Sequence, residues 1–222
     1  AVMVWTSCGG NPAPDQPDSA VAQLLHERWN SGPEAVAVRR AEDIASCQAM
    51  GASWRHFTLT DCIYRTGLAG QHLYPSEESL WGGLHAEDLP LIQVLAQTMR
   101  QEIPADAQIV SPLTLGDHVD HKLVRAAAEQ TGRHLVFYAD YPYATKPEAQ
   151  QRLAALYAAG WEALPGAVSR AGLVAWQAAV AAYRSQISTF WKDLAEMAGA
   201  MEAYWQAQGE SVTLLARSLR SG

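Results

Sequence analysis

Short apolar runs alternate with stretches of helical periodicity along the chain. Ala1–Thr6 (AVMVWT) is a continuous apolar run of the kind a parallel sheet buries on both faces. Ser7 to Pro17 carries Gly9-Gly10 and three prolines and predicts a loop. Ser19 is placed to cap a helix through about Trp29, with Val21, Leu24, Leu25 and Arg28 at helical spacing. Pro33-Glu34 opens a second helix that stops at Met50-Gly51. Trp54–Leu59 alternates as a strand does, and Asp61 to Gly83 has no periodicity. A loop of that length in a compact domain is usually functional or mobile.

Further on, the pattern predicts a helix over Pro90–Glu102, a short strand over Gln108–Val110 and a helix over Val119–Gln130 stopped by Thr131-Gly132. His134–Ala139 (HLVFYA) is a strand broken by Asp140-Tyr141-Pro142-Tyr143, since proline cannot donate to a ladder. No element is assigned between Tyr143 and Leu173. Helices follow from about Leu173 to Trp191 and from Lys192 to Gln208, with a last strand over Val212–Ala216. Strands alternating with helices predict an α/β domain with a mostly parallel sheet covered on both faces. Ligands of such sheets bind at the carboxyl ends of strands. Cys8–Pro14, Asp61, His118–His121 and Asp140–Tyr143 all follow strands, so one crevice is expected to gather them.

The most informative segment is Gly116-Asp117-His118-Val119-Asp120-His121. Histidines three apart at a helix start share one side, so one can ligate a metal while the other faces what the metal activates. Asp120 between them can accept a ring N–H and fix a tautomer. The plainer alternative is a helix-start histidine with an ordinary hydrogen bond.

Composition narrows the field. With 222 residues, 49% hydrophobic and 18% charged, the chain has the make-up of a globular domain. A net charge of −7 argues against nucleic acid as a partner, and no stretch has the ~20 apolar residues of a membrane span. Cys8, Cys47 and Cys62 form neither a CxxC pair nor an even disulfide set; they read as reduced thiols, two of them in the core, in a cytoplasmic setting. Opening in mid-strand at Ala1 predicts an upstream segment outside this sequence.

Taken in order, the motifs resemble the PIG-L/LmbE family of zinc-dependent N-acetyl-sugar deacetylases. VWTSCGGNP resembles the family's second strand and its loop. Val38-Arg39-Arg40-Ala41-Glu42-Asp43, ending in Ala49-Met50-Gly51, resembles its Arg-x-x-Glu helix, and Thr60-Asp61-Cys62-Ile63-Tyr64-Arg65 its Asp loop. His118-Val119-Asp120-His121 fits H-P-D-H with Val for Pro. Phe137 to Tyr143 resembles the aromatic strand and acidic-x-Pro-Tyr loop, and Tyr183-Arg184-Ser185-Gln186 the Y-x-S-Q element. The family's H-P-D-D motif, which supplies two zinc ligands and the catalytic base, does not occur in these 222 residues.

The resemblance implies a Rossmann-like three-layer sandwich, a single domain over 1–222 lacking the family's first strand and metal loop. It also implies hydrolysis of an N-acetyl group from an N-acetylglucosamine-type conjugate. Zinc, or iron or another divalent ion, would be held in part by His121. His118 would stabilise the tetrahedral oxyanion and protonate the amine, and Asp120 would pair with it. Arg39, Asp61 and Tyr143 would bind the sugar, with Tyr64, Arg65 and Trp81 as further candidates. For Arg39 a surface ion pair with Glu42 or Asp43 is the alternative, with Arg40 an equal rival; for Asp61 it is loop capping. Tyr183, Ser185 and Gln186 are expected to pack or hydrogen-bond rather than react. Trp161, Trp176, Trp191 and Trp205 read as core residues or interface anchors, which suits a homo-oligomer. Two other functions stay open: a non-catalytic sugar-conjugate-binding member of the same fold, and a nucleotide- or sugar-phosphate-binding protein using Cys8-Gly9-Gly10 as an anion loop.

Overall fold

The structure, a computed structural model, describes residues 1–217. Its strands are β1 Met3–Thr6, β2 Ser53–His56, β3 Ile109–Pro112, β4 Leu135–Tyr138, β5 Trp161–Leu164 and β6 Leu214–Arg217. Its helices are α1 Ala20–Trp29, α2 Ala35–Ala49, α3 Leu89–Glu102, α4 Val119–Gln130, α5 Pro147–Ala158, α6 Arg170–Ala182, α7 Arg184–Phe190 and α8 Leu194–Ala207. Two compact units result, one from Ala1–Leu80 with Val168–Glu210, the other from Trp81–Ala167 with the segment that follows Glu210.

In the first unit, β1 and β2 pair in parallel, Met3 opposite Ser53 and Thr6 opposite His56. A parallel pair needs a helical crossover, and α1 and α2 supply it. Ser19 caps α1 by accepting from the Ala22 N–H at 3.1 Å, and its own hydroxyl donates to the Ile63 carbonyl at 3.2 Å. The second bond ties the turn Cys62–Tyr64 to the start of α1. The α2 helix packs on α6, α6 on α8, and α1 on α7. Val21, Ile63, Tyr64, Tyr74, Leu173 and Met201 are core residues of this unit. Much of Asp61–Gly83 is packed rather than loose, since Tyr64, Leu73, Tyr74 and Leu80 are all buried. The first strand departs from expectation: Val2 and Met3 are exposed, because among the described residues β1 pairs with β2 alone.

The second unit holds a four-stranded sheet in the order β3-β4-β6-β5. Strands β3 and β4 are parallel, with α4 as the crossover; β6 lies antiparallel to both β4 and β5. The sheet is therefore mixed, where the alternation of elements predicted a mostly parallel one. Periodicity reports which faces are apolar and is silent on direction, and β6 inserts between two strands that run the other way. The unassigned stretch contains α5, opened by Pro147 in its first turn, and β5, which follows Gly160 at φ 84°. The helix expected over Leu173–Trp191 is two helices, α6 and α7, broken at Tyr183 (φ −81°, ψ 63°). No helix among the described residues is long and apolar enough to cross a membrane.

Candidate active site

The second unit brings His118, Asp120, His121 and Tyr143 together. The loop from Pro112 to His118 is held by the buried Leu113 and Leu115, and by the Leu115 N–H donating to Asp140 Oδ2 at 3.1 Å. Gly116 must be glycine for reasons of space, since a Cβ there would lie 2.6 Å from Cγ of Tyr143. The ring of Tyr143 thus seats directly on the histidine loop. Asp117 adopts φ 60° and is held by Lys122 at 3.0 Å and Arg152 at 2.9 Å.

His118 is the N-cap of α4, its Nδ1 accepting from the Asp120 N–H at 3.3 Å. A ring nitrogen that accepts carries no proton, so neutral His118 donates from Nε2. His121, one turn on, has its Nδ1 2.7 Å from Oδ1 of Asp140, a carboxylate 2% exposed. A carboxylate only accepts, so Nδ1 of His121 carries the proton and Nε2 keeps its lone pair. The two rings, 5.5 Å apart, are fixed in opposite tautomers, one presenting a donor and the other a ligand atom.

Sequence reasoning gave the orienting carboxylate to Asp120; for His121 it is Asp140, from the end of β4. Asp120 meets His118 through its backbone N–H and is itself buried in the first turn of α4. Trp81 stands edge-on to His118 at 5.1 Å and 5.8 Å from Tyr143, partly exposed, beside the ring pair. Burial, then the charge of Asp140, pushes the Tyr143 phenol up to about 12, so its hydroxyl remains a donor at neutral pH.

The first unit holds Arg39 and Asp61, joined at 3.0 Å. Together with Thr6, Cys8, Gly9, Asp43, Tyr64 and others they line a cavity of about 110 Å³. Arg39 does not take Glu42 or Asp43 as its partner; its guanidinium pairs with Asp61 and packs on Trp29 at 4.9 Å. Burial, the largest influence, works against its charge, but Asp61, with smaller contributions from Tyr64 and Tyr183, more than offsets it and the Arg39 pKa is raised. Asp61 also caps the turn, its Oδ1 accepting from the Ile63 N–H at 3.3 Å, which is the loop-capping alternative. Arg40, the rival, donates from Nε to the Gly9 carbonyl at 2.6 Å.

That bond, and the use of Gly10, argue against an anion loop at Cys8-Gly9-Gly10. The Gly10 N–H donates to the Leu59 carbonyl at 2.8 Å, and a Cβ there would meet the Thr58 carbonyl oxygen at 2.0 Å. Gly10 serves a close chain crossing, and the helix that follows begins only at Ala20. Arg65 is buried, donating to the Thr60 carbonyl at 3.0 Å and stacked on Tyr74, a structural role. Asp43 is a buried hub that accepts from Thr6 at 2.9 Å, from the Tyr183 hydroxyl and, at 2.7 Å, from His56 Nε2. Glu42 accepts from the Ser185 N–H at 2.8 Å and its hydroxyl at 2.6 Å. The Y-x-S-Q element is thus anchored to α2 through Tyr183 and Ser185. Trp161 and Trp205 are buried, as are Cys47 and Cys62, and Cys8, Cys47 and Cys62 are not in disulfides.

No protein-family model matches the chain, and no curated relative matches its sequence. Solved structures do match. The zinc-inhibited form of teicoplanin deacetylase Orf2 aligns over 99% of this chain and 89% of its own, at 26% identity and a TM-score of 0.78. A deacetylase–teicoplanin complex aligns over 99% and 88%, at 25% identity and 0.75. The chain has the PIG-L/LmbE-like deacetylase fold. The A40926 pseudoaglycone deacetylase Dbv21, at 23% identity, a TM-score of 0.66, and covering 97% and 84%, shares that fold as well. Within it, the motifs that carried the resemblance occupy the two clusters just described: H-x-D-H with Asp140, and Arg39 with Asp61.

Proposed function

We propose that this chain is a metal-dependent hydrolase that removes the N-acetyl group from an N-acetylglucosamine-type sugar conjugate, releasing acetate and a free amine. The observation that carries the reading is the pair of opposed tautomers at His118 and His121. It is supported by the likeness to teicoplanin deacetylase, whose zinc-inhibited form was solved. The donor chemistry fits a divalent ion: the Nε2 lone pair of His121, on a side chain 38% exposed, would hold it, and Asp140 behind the ring raises its basicity. Zinc held there would supply the acidification of a water and the polarisation of the acetyl carbonyl. His118 would donate from Nε2 to the oxygen that gains charge; toward the departing amine it would act as the imidazolium, its ring first taking up the proton that the attacking water gives up. Asp120 fixes the ring of His118 from the first turn of α4, and the Tyr143 hydroxyl is a further donor to the substrate. Arg39 and Asp61 offer a matched donor and acceptor for sugar hydroxyls.

In this reading the chain is one deacetylase domain with a Rossmann-like architecture. In support, each compact unit is assembled from two separated stretches of chain. Its cysteines, not held in disulfides, favour a reducing, cytoplasmic setting.

The test is acetate release from an N-acetylglucosaminyl conjugate, read beside bound zinc. His118→Ala keeps its metal and loses turnover by about 10²–10⁴-fold, the usual worth of a proton-transfer group. His121→Ala loses metal first. Acetate release at the parent rate by both variants overturns the assignment. A zinc-saturated parent chain that binds the sugar but releases no acetate is instead a non-catalytic binder.

A further inference from the structure

We propose that Lys122 is a positioning residue of the reaction: it ties the Trp81-Gly82 segment to the histidine loop and so seats Trp81 against the ring of His118. Asp117 completes the clamp. The inference rests on the hydrolase reading above and deepens it.

Lys122 follows His121 on α4, and its backbone N–H donates to the His118 carbonyl at 3.1 Å in the first turn. Its ammonium donates to the Gly82 carbonyl at 2.8 Å and pairs with Oδ1 of Asp117 at 3.0 Å. Oδ2 of Asp117 accepts from Arg152, on α5, at 2.9 Å. An ammonium has three donors, so it can hold a carbonyl and a carboxylate at once. One side chain thus joins the helix that carries both histidines, the residue before His118 and the residue after Trp81. Gly82 and Gly83 have no side chains with which to hold this stretch, so a backbone carbonyl is the handle.

What the clamp holds is a loop bent against its own preference. Thr114 (φ 63°) and Asp117 (φ 60°) both lie in the left-handed region, which a β-branched residue such as Thr rarely enters. The Asp117 N–H closes the turn on the Thr114 carbonyl at 3.1 Å. Backbone of this kind persists only where its surroundings over-determine it, and such places cluster at functional sites. The next residue is His118. Its bond from the Asp120 N–H, at 3.3 Å, is longer than usual, and the rings of Trp81 at 5.1 Å and His121 at 5.5 Å stand beside it. Without the tie at Gly82, Trp81 is free to leave and the His118 ring loses a neighbour that limits its swing. The ion pair is partly exposed, 28% at Lys122 and 45% at Asp117, and pairs in that setting contribute little to stability. Its effect is on geometry rather than on folding.

The experiment labels the full chain with 5-fluorotryptophan, and Trp81→Phe identifies the Trp81 fluorine signal among the eight tryptophans. In zinc-free protein, Lys122→Met is expected to shift and broaden that signal. In zinc-loaded protein it is expected to lower kcat for acetate release about 100-fold, the cost of roughly an ångström of misplacement, with KM unchanged. Asp117→Asn keeps a side chain that tolerates the left-handed backbone but drops the charge that holds Lys122. It should move the same signal and lower kcat about tenfold, and it decides the matter if Lys122→Met does not fold. An unmoved Trp81 signal, a kcat at the parent value, or a raised KM with kcat intact overturns the role of Lys122. A parent chain that releases no acetate overturns the hydrolase reading instead, and the fluorine signal then still decides whether Lys122 seats Trp81.

Discussion

Asp140 shows what one residue at a strand end can set. Its Oδ2 holds the Leu115 N–H of the histidine loop and its Oδ1 holds His121 Nδ1, so one buried carboxylate fixes both backbone and tautomer. Asp140→Asn keeps the shape but weakens the charge-assisted bond to the ring. Partners behind ligating histidines are worth 10–100-fold in metal affinity, so zinc dissociation should rise about 10–100-fold in this variant. Competition with a chelator measures it, and an unchanged constant removes Asp140 from the metal site. The histidines themselves were legible, because their spacing is local. Their acidic partner was not: Asp140 lies nineteen residues from His121, and only the parallel pairing of β3 with β4 brings it there.

Among the elements, the break between α6 and α7 is set by α2. Residues Leu173–Trp191 have one apolar periodicity, and nothing local stops a continuous helix at Tyr183. The stop is imposed from outside, where Asp43 takes the Tyr183 hydroxyl and Glu42 caps the new helix at Ser185. Glu42→Ala removes two bonds to a charged acceptor at once. Bonds of that kind contribute roughly 1.5–3 kcal/mol each, reduced where water replaces them, so a loss of about 2 kcal/mol is expected in urea unfolding. A change below about 0.5 kcal/mol would mean that the cap is idle. The helices read correctly, such as α1 with Ser19 and α4 ahead of Gly132, are those whose stop signals lie in the chain itself. In the case of α5 and β5 the signals were also local, Pro147 and Gly160, but the alternation on β5 is weak.

For the molecule as a whole, four phenols are held neutral by burial: Tyr64, Tyr138, Tyr143 and Tyr183 all have raised pKa values. A group whose folded pKa lies above its unfolded value stabilises the fold below the unfolded value and loses that contribution as pH rises through the folded one. With an ordinary phenol at 10.0 and Tyr143 at about 12, stability should hold to about pH 10 and fall between 10 and 12. Denaturant midpoints together with tyrosinate absorbance check this, and ionisation of all the tyrosines near pH 10 in the folded protein would contradict it.

From the sequence alone came the α/β class, most helix bounds, the H-x-D-H pair and Arg39 and Asp61 as candidates, because each depends on near neighbours, local periodicity or a recognisable motif. Tertiary structure decided the rest. It reversed β6 against its neighbours and gave Asp140 to His121 and Asp61 to Arg39. Strand direction and long-range hydrogen bonds depend on which segments meet in space, and no periodicity in a single chain encodes that.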